Sequence, residues 1–326
     1  MTNPKTAIIG ASGMVGQKFL EILEERNTPV DLTLYGSARS AGQTISHRGI
    51  NLPIHELTEA TFSETNFNYA LFATGSDISK QYAPIAAKHG CIVIDNSSAW
   101  RMAEHVPLCV PEVNAHTLKT HKNIIANPNC CAVPATVALK PLQAKYGLKR
   151  VVISTYQSVS GAGVGGMTDL AETQKGNPPH FFPHPIANNI IPHIDTFHED
   201  GYTGEEKKLM AEICKILHQP NLPITATTVR VPIEYGHSLS INVTLENPFD
   251  LAGIQHILTA TPGIIIEETY PMPLYAAGTD NVYVGRIRRD SSCPNTLNLW
   301  VVADNTRKGA ATNAVQVLEL LMREDR

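Results

Sequence analysis

The chain has 326 residues, 43% of them hydrophobic and 17% charged, with a formal net charge of −4 at pH 7. That length sets a prior of about two domains, and the composition excludes a disordered or fibrous chain. Mild acidity argues against nucleic acid or an anionic membrane as partner, and no apolar run approaches the roughly 18 residues of a membrane span. The six cysteines, at positions 91, 109, 130, 131, 214 and 293, form no C-x-x-C pair. They are too sparse for a disulfide framework. No metal is expected. With no apolar leader ahead of the first strand, the expected location is the reducing cytoplasm.

Thr6–Ile9 reads as a short buried strand, followed by Gly10-Ala11-Ser12-Gly13-Met14-Val15-Gly16 and then by Phe19, Leu20, Ile22 and Leu23 at helical spacing. In the context strand, glycine loop, helix, such a motif binds a pyrophosphate, because backbone N–H groups converge at the helix N-terminus. The pattern is G-x-x-G-x-x-G rather than the strict G-x-G-x-x-G, and a merely tight turn is the alternative. The second strand, Leu32–Tyr35, tells which dinucleotide. An NAD site places Asp or Glu at the end of this strand for the ribose 2′-OH. Here the strand runs into Gly36-Ser37-Ala38-Arg39-Ser40-Ala41-Gly42. A guanidinium and two hydroxyls without an acid suit a 2′-phosphate. NADP(H) is the expected cofactor.

Tyr69–Thr74 and Cys91–Asp95 continue the buried strands, with helical Ile78–Lys88 between them. This alternation predicts a parallel doubly wound sheet. Both strands end in small polar residues, which suits loops edging a cofactor. Arg101 follows, either a clamp for phosphate or carboxylate or a surface charge. Ile124–Ala126 then stops at Asn127-Pro128-Asn129, and the turn delivers Cys130 to an apolar, helix-compatible segment reaching Leu142. A thiol at a helix N-terminus is shifted towards thiolate. A lone cysteine in such a place is more often a buried core residue, so its company decides.

Beyond Cys130 the character changes. Val151–Val159 is a long strand running into Ser160-Gly161-Ala162-Gly163, and 226–232, 238–246, 282–289 and 297–303 supply further strands of a second, mixed sheet. Residues 204–217 read as a helix, and 309–322 as an amphipathic one. The expected fold is α/β: an N-terminal Rossmann-type NADP-binding domain over 1–128, with a C-terminal helix over 306–326 packing back on it, plus a second α+β domain with a mixed sheet over 129–305. The second domain is expected to carry catalysis and oligomerisation. His237, between Gly236 and Ser238 at a strand start, is the best base for the cysteine, although a structural histidine is the commoner case among 13. His180, His184 and His193 fit no metal template and read as structural or interfacial. Arg230 suits an anionic substrate. Glu212 and Lys215, spaced i, i+3, face one way, and a surface ion pair is the simpler reading.

The chain resembles aspartate-semialdehyde dehydrogenase nearly end to end. The residues that carry the resemblance are Gly10–Gly16, Ser37–Gly42, Asp95–Met102, Ala126–Cys130, Ser154–Gly163, Phe182–Asp195, Arg230–His237, Gly285–Asp290 and Asn298–Asn305. Asn-Pro-Asn-Cys together with Tyr-Gln-Ser-Val-Ser-Gly-Ala-Gly is the most specific part. The resemblance implies Cys130 as nucleophile, His237 as acid and base, and Gln157 orienting a thioester. It implies Arg230 on the substrate carboxylate, Arg101 and Lys215 on phosphate with Asn129 nearby, and Glu212 on the substrate amino group. It further implies an NADP site lined by Ser12, Gly13, Met14, Val15, Arg39, Ser40, Ser160, Gly161 and Asn305. Gly10 and Gly16 of the loop, Ser37 of the turn and Thr74 at a strand end complete that set.

The implied reaction interconverts L-4-aspartyl phosphate and L-aspartate 4-semialdehyde in lysine, threonine and methionine biosynthesis. Its partners are the small-molecule substrate, inorganic phosphate and a second copy of the chain, as a homodimer or dimer of dimers. Two alternatives compete: an N-acetyl-γ-glutamyl-phosphate reductase, whose acetylated substrate does not need Glu212, and a non-catalytic NADPH-sensing redox switch. One departure from the family is Cys131, where Ser or Thr is usual; it is expected to point inward from the helix.

Overall fold

Short apolar runs alternating with amphipathic stretches lay down a largely parallel sheet from the start of the chain. The computed structural model describes residues 3–324, so positions 1, 2, 325 and 326 of the expected domain ends lie outside them. Its first sheet contains β1 Lys5–Ile9, β2 Asp31–Gly36, β3 Thr44–His47, β4 Ile50–Glu56, β5 Tyr69–Phe72, β6 Ile92–Asp95 and β7 Ile124–Ala126, in the order β3-β4-β2-β1-β5-β6-β7. Every pairing is parallel except β3 with β4. The strand order reverses at β1, next to β5. Such a switch point opens a crevice beyond the carboxyl ends of the strands. Helix α1, Met14–Glu25, buries Phe19, Leu20, Ile22 and Leu23, and α2, Ser76–Lys88, buries Ala83 and Ala86.

The β3–β4 hairpin has no counterpart in the sequence expectations. Its two-residue turn is Arg48-Gly49, with φ of 50° and 75°. An arginine at a left-handed position masks the usual Asn-Gly hairpin signal. Here Arg48 is held there by its guanidinium, which donates to the carbonyls of Leu23 and Thr28 at 2.9 and 3.1 Å.

The C-terminal helix, Thr312–Glu324, buries Val315, Val317, Leu318 and Leu321 in the same apolar cluster as Ile8, Leu34, Leu71 and Ile94. Buried Asn313 fastens it by donating to the Cys109 carbonyl at 2.9 Å and to Asn127 Oδ1 at 2.8 Å. The helix starts three residues later than the pattern from Gly309 suggests. The Gly309 N–H donates five residues back to Asp304 O at 2.9 Å, so 307–311 forms a wide π-turn instead.

The second sheet contains β8 Leu148–Gln157, β9 Ile224–Arg230, β10 His237–Leu245, β11 Ile264–Ile266, β12 Val282–Arg289 and β13 Thr296–Ala303, in the order β11-β12-β13-β10-β8-β9. β8 with β9 and β11 with β12 are parallel; the remaining pairs are antiparallel. The mixed sheet is therefore as expected. Strand alternation gives it two unlike faces. Val151, Ile153, Leu239, Ile241, Val243 and Leu299 are buried, whereas Ser154, Tyr156, Ser240, Asn242 and Trp300 on the other face keep some exposure. Helices α3 Ala132–Tyr146, α4 Gly163–Gln174, α5 Gly204–Ile216 and α6 Leu251–Thr259 belong to this unit. α3 is buried on nearly all sides because it packs against α5, α6, β10, β12 and β13.

β8 stops at Gln157, two residues before the expected end at Val159. Val159 donates instead to the Ile233 carbonyl at 2.9 Å and opens a 3₁₀ turn over Val159–Ala162. The chain divides into two compact units, 1–128 with 310–326, and 129–309. Among the described residues, no helix is long and apolar enough to cross a membrane.

Candidate active site

In the second unit, strand register assembles the polar side chains. Gln157, the last residue of β8, pairs with Arg230, the last of β9, while Ser238, the second residue of β10, pairs with Tyr156. Alternation then sends Gln157, Arg230 and His237 to the helix-covered face. Their exposures are 1%, 5% and 0%. The sulfurs of Cys130 and Cys131 and a ring nitrogen of His237 all lie within 4.8 Å of one another. The expected nucleophile and base are thus neighbours.

The ring of His237 is oriented by the turn after β8. The Ser158 N–H donates to Nδ1 at 3.1 Å. A nitrogen that accepts from a backbone N–H carries no proton, so in the neutral ring the proton sits on Nε2. Nε2 is buried with no hydrogen-bond partner among the described residues. The same tautomer withholds the Nε2 lone pair from a metal, which needs the proton on Nδ1, so the Cys130, Cys131 and His237 set does not suit a metal ion. Gly161 lets the 3₁₀ turn pass close by, for a Cβ there would stand 2.7 Å from Arg230 Nη1 and 3.1 Å from His237 Nε2.

The two adjacent thiols divide one proton unequally. A hydrogen bond from the Cys131 thiol holds Cys130 well below the ordinary thiol range against the opposing effect of burial, and His237 and Arg230 add to the shift. Burial, followed by that same bond, pushes Cys131 up. Of the two, Cys130 is therefore the thiol that ionises more readily and Cys131 the one that donates to it. Cys131 is fully buried, as expected of an inward-pointing residue.

Arg230 donates from Nη1 to the Ser158 carbonyl at 2.7 Å, while its Nε is buried and finds no partner among the described residues. Burial lowers its pKa from the ordinary value, and the charges of Cys130 and Glu205 oppose that shift. A buried guanidinium nitrogen without an acceptor is costly unless a ligand supplies one.

Asn129 is held three ways. Its N–H donates to Glu212 Oε2 at 2.6 Å, its Nδ2 donates to Glu205 Oε1 at 2.8 Å, and its Oδ1 accepts from the Cys131 N–H at 2.8 Å. Glu212 is only 1% exposed, which overturns the simple surface-pair reading. Lys215 is half-buried; desolvation pulls its pKa down and Glu212 opposes this. Gln157 donates from Nε2 to Glu205 Oε1 at 3.1 Å. Asn305 Oδ1 accepts from the Gly236 N–H and from Ser158 Oγ at 2.9 and 3.0 Å, and its Nδ2 donates to Ser160 Oγ at 3.0 Å. Ser160, Gly161 and Asn305 therefore frame the His237 ring. His180, His184 and His193 do not join this cluster. The backbone N–H of His180 donates to Asp169, and His193 stacks on Phe197 with ring centroids 4.4 Å apart.

Sequence reasoning missed Glu205 and Ser158. The signal for Glu205 was the capping box at the start of α5, in which Glu206 bonds back to the Thr203 N–H at 2.8 Å. With Glu206 so engaged, the preceding acid projects differently, seven residues before Glu212 and on the same helix face.

In the first unit, Gly10 has φ of 84°, and a Cβ there would stand 2.5 Å from the Ala73 carbonyl. Helix α1 then begins after Gly13 with no side-chain cap and no acid in its first turn, where Met14 and Val15 are half-buried and Gly16 is buried. Its first N–H groups are left for an anion. A cavity of about 470 Å³ opens there, lined by Gly10, Ser12, Gly13, Ser37 and Thr74 among others. Thr74 Oγ1 is buried and has no partner among the described residues. Ser37 and Arg39 are exposed, whereas Ser40 is buried with its hydroxyl donating to the Ser37 carbonyl at 3.1 Å. Arg101 is anchored on the carbonyls of Asn127 and Asn96 at 2.9 and 3.0 Å.

Comparison with known proteins matches this arrangement to one family. The chain matches the semialdehyde dehydrogenase NAD-binding domain over residues 5–121 and the semialdehyde dehydrogenase dimerisation domain over 139–308. It is 49% identical to the aspartate-semialdehyde dehydrogenase of Aquifex aeolicus, over 98% of each chain. Against that of Bacillus subtilis it is 44% identical, over 97% of this chain and 96% of the other. The crystal structure of aspartate-semialdehyde dehydrogenase II from Vibrio cholerae complexed with ASA aligns with a TM-score of 0.95 at 43% identity, covering 99% of both chains. Two domain matches and relatives spanning nearly the full length leave one assignment: the chain belongs to the aspartate-semialdehyde dehydrogenase family.

Proposed function

We propose that this protein is an NADP-dependent, phosphorylating aspartate-semialdehyde dehydrogenase that works through a thioester on Cys130. The observation that carries the reading is the Cys130 sulfur within 4.8 Å of a ring nitrogen of His237, its pKa held well below the ordinary thiol value, with an Arg230 Nε that finds no partner among the described residues. The Cys130 thiolate attacks the aldehyde carbon of L-aspartate 4-semialdehyde, forming a C–S bond while the carbonyl electrons move onto oxygen. The His237 Nε2–H stabilises that oxygen and exchanges its proton. Arg230 holds the substrate carboxylate through the nitrogen that lacks an internal partner. Glu212 gives the pocket a negative group suited to a free α-ammonium group, which an N-acetylated substrate lacks.

NADP, when bound, supplies the hydride acceptor. The uncapped start of α1, the cavity beside it and the unpartnered Thr74 hydroxyl support a dinucleotide there, and Arg39 without an acid at the end of β2 supports the 2′-phosphate. The thioester on Cys130 is then opened by phosphate, which the reading assigns to Arg101 and Lys215. The released thiolate returns to its Cys131 donor. No metal takes part, in keeping with the His237 tautomer. The partly exposed face of the second sheet, with Tyr156 and Trp300, supports a homodimer through the second unit, and a cytoplasmic location in lysine, threonine and methionine biosynthesis completes the proposal.

The test is NADPH formation from L-aspartate semialdehyde and NADP⁺, with and without inorganic phosphate. A rate that requires phosphate, and is lost in Cys130→Ala with NADPH binding retained, is the expected result. A phosphate-independent rate would strip Arg101 and Lys215 of their roles.

A further inference from the structure

We propose that Glu205 is a positioning residue for this reaction, its buried carboxylate fixing which way the Asn129 and Gln157 amides face. The inference rests on the function proposed above. One oxygen, Oε1, accepts from Asn129 Nδ2 at 2.8 Å and from Gln157 Nε2 at 3.1 Å. Glu205 is 8% exposed. An ionised carboxylate only accepts hydrogen bonds, so both amides must turn their nitrogens towards it and their oxygens away.

For Asn129 the consequence is visible. Its Oδ1 meets the Cys131 N–H at 2.8 Å, which fixes the backbone that carries the nucleophile and its thiol donor. For Gln157, Nε2 is shared between Glu205 and Thr155 Oγ1, the latter at 3.3 Å, so the amide turns its nitrogen towards Glu205 and its oxygen away from it. A flipped amide at either position would present the wrong atom. Glu205 reaches them because it opens α5 beside Glu206, whose two oxygens are taken by the N–H groups of Thr203 and Thr228 at 2.8 and 2.9 Å. One carboxylate anchors the helix; its neighbour orients the site.

Three variants test this. Glu205→Ala removes the acceptor, Glu205→Met removes it while keeping buried volume should the alanine variant fail to fold, and Glu205→Gln removes the charge but keeps an acceptor oxygen. Loss of kcat by roughly 10- to 100-fold in Glu205→Ala, with KM for NADP⁺ unchanged and Glu205→Gln within a few-fold of the parent, is expected. In a Gln157→Ala background the same substitution should cost much less, since the two act as a unit. Equal loss in Glu205→Gln and Glu205→Ala would assign the effect to charge and overturn the positioning role, as would penalties that simply multiply. The side-chain amide resonances of Asn129 and Gln157 give a readout that needs no substrate. Both should move in Glu205→Ala and stay in place in Glu205→Gln. Unmoved resonances would overturn the proposal, whereas failure of the parent enzyme to oxidise aspartate semialdehyde would count only against the assigned function.

Discussion

The Ser158 N–H donates to Nδ1 of His237, and the proton of the neutral imidazole is thereby assigned to Nε2. In that tautomer Nε2 is the nitrogen that can donate to a thiolate or to a substrate oxygen. A glutamine side chain places an N–H near the same point but cannot relay a proton. His237→Gln should therefore keep the iodoacetamide reactivity of Cys130 within a few-fold while kcat falls by roughly 10²-fold or more. Parallel loss of both would show that the ring creates the thiolate.

The Cys131 thiol is the leading stabiliser of the Cys130 thiolate. Removing it raises the thiol pKa, so more of Cys130 is protonated at neutral pH. In Cys131→Ala, alkylation of Cys130 at pH 7 should slow roughly tenfold, as expected for loss of one hydrogen bond to a charged group, and recover as pH rises. A pH profile that superimposes on that of the parent would exclude this role.

Arg230 donates to the Ser158 carbonyl, and under the proposed reaction it must satisfy a substrate carboxylate at the same time. Lysine has a single ammonium on a flexible stem and cannot fork between them. Steady-state kinetics of Arg230→Lys should show kcat/KM for the semialdehyde down by roughly 10²-fold, chiefly through KM, with KM for NADP⁺ unchanged.

Asp95 is fully buried at the end of β6, with Ser97 Oγ donating to its Oδ2 at 2.6 Å and its Oδ1 without a hydrogen-bond partner among the described residues. Burial raises its pKa above the ordinary carboxylate value. The folded state consequently gains stability while this acid is protonated and loses it as pH rises through the folded value. Asparagine is neutral throughout. Thermal unfolding of Asp95→Asn and parent should show the difference in midpoint moving in the variant's favour between about pH 4, near the ordinary Asp value, and pH 8. A constant difference would mean that Asp95 titrates alike in both states.

What could be read from the sequence was whatever side-chain identity and periodicity record. The alternating strands and helices of the first sheet, the glycine loop, Cys130 at a helix start and His237 at a strand start all carry such marks. The hairpin at 44–56 did not, because its turn puts Arg48 where glycine or asparagine is customary and relies on two distant carbonyls to hold it. The tautomer of His237 could not be read, since a backbone N–H belongs to every residue but proline and its direction follows only from where β8 ends. Glu205 lay inside a capping motif that explains its neighbour, and its partners at 129 and 157 are far away in sequence. Glu212 was weighed as a surface charge because helical spacing says which residues share a face, not what covers that face.

The C-terminal helix has a consequence for how the protein is made. Val315, Leu318 and Leu321 belong to the apolar cluster that includes Ile8 and Leu34, so the strands of the first unit lack part of their packing until residues 315–321 have left the ribosome. The unit spanning 129–309 is complete before then. On the ribosome, the middle of the chain is the first part able to finish folding, and the first unit closes last.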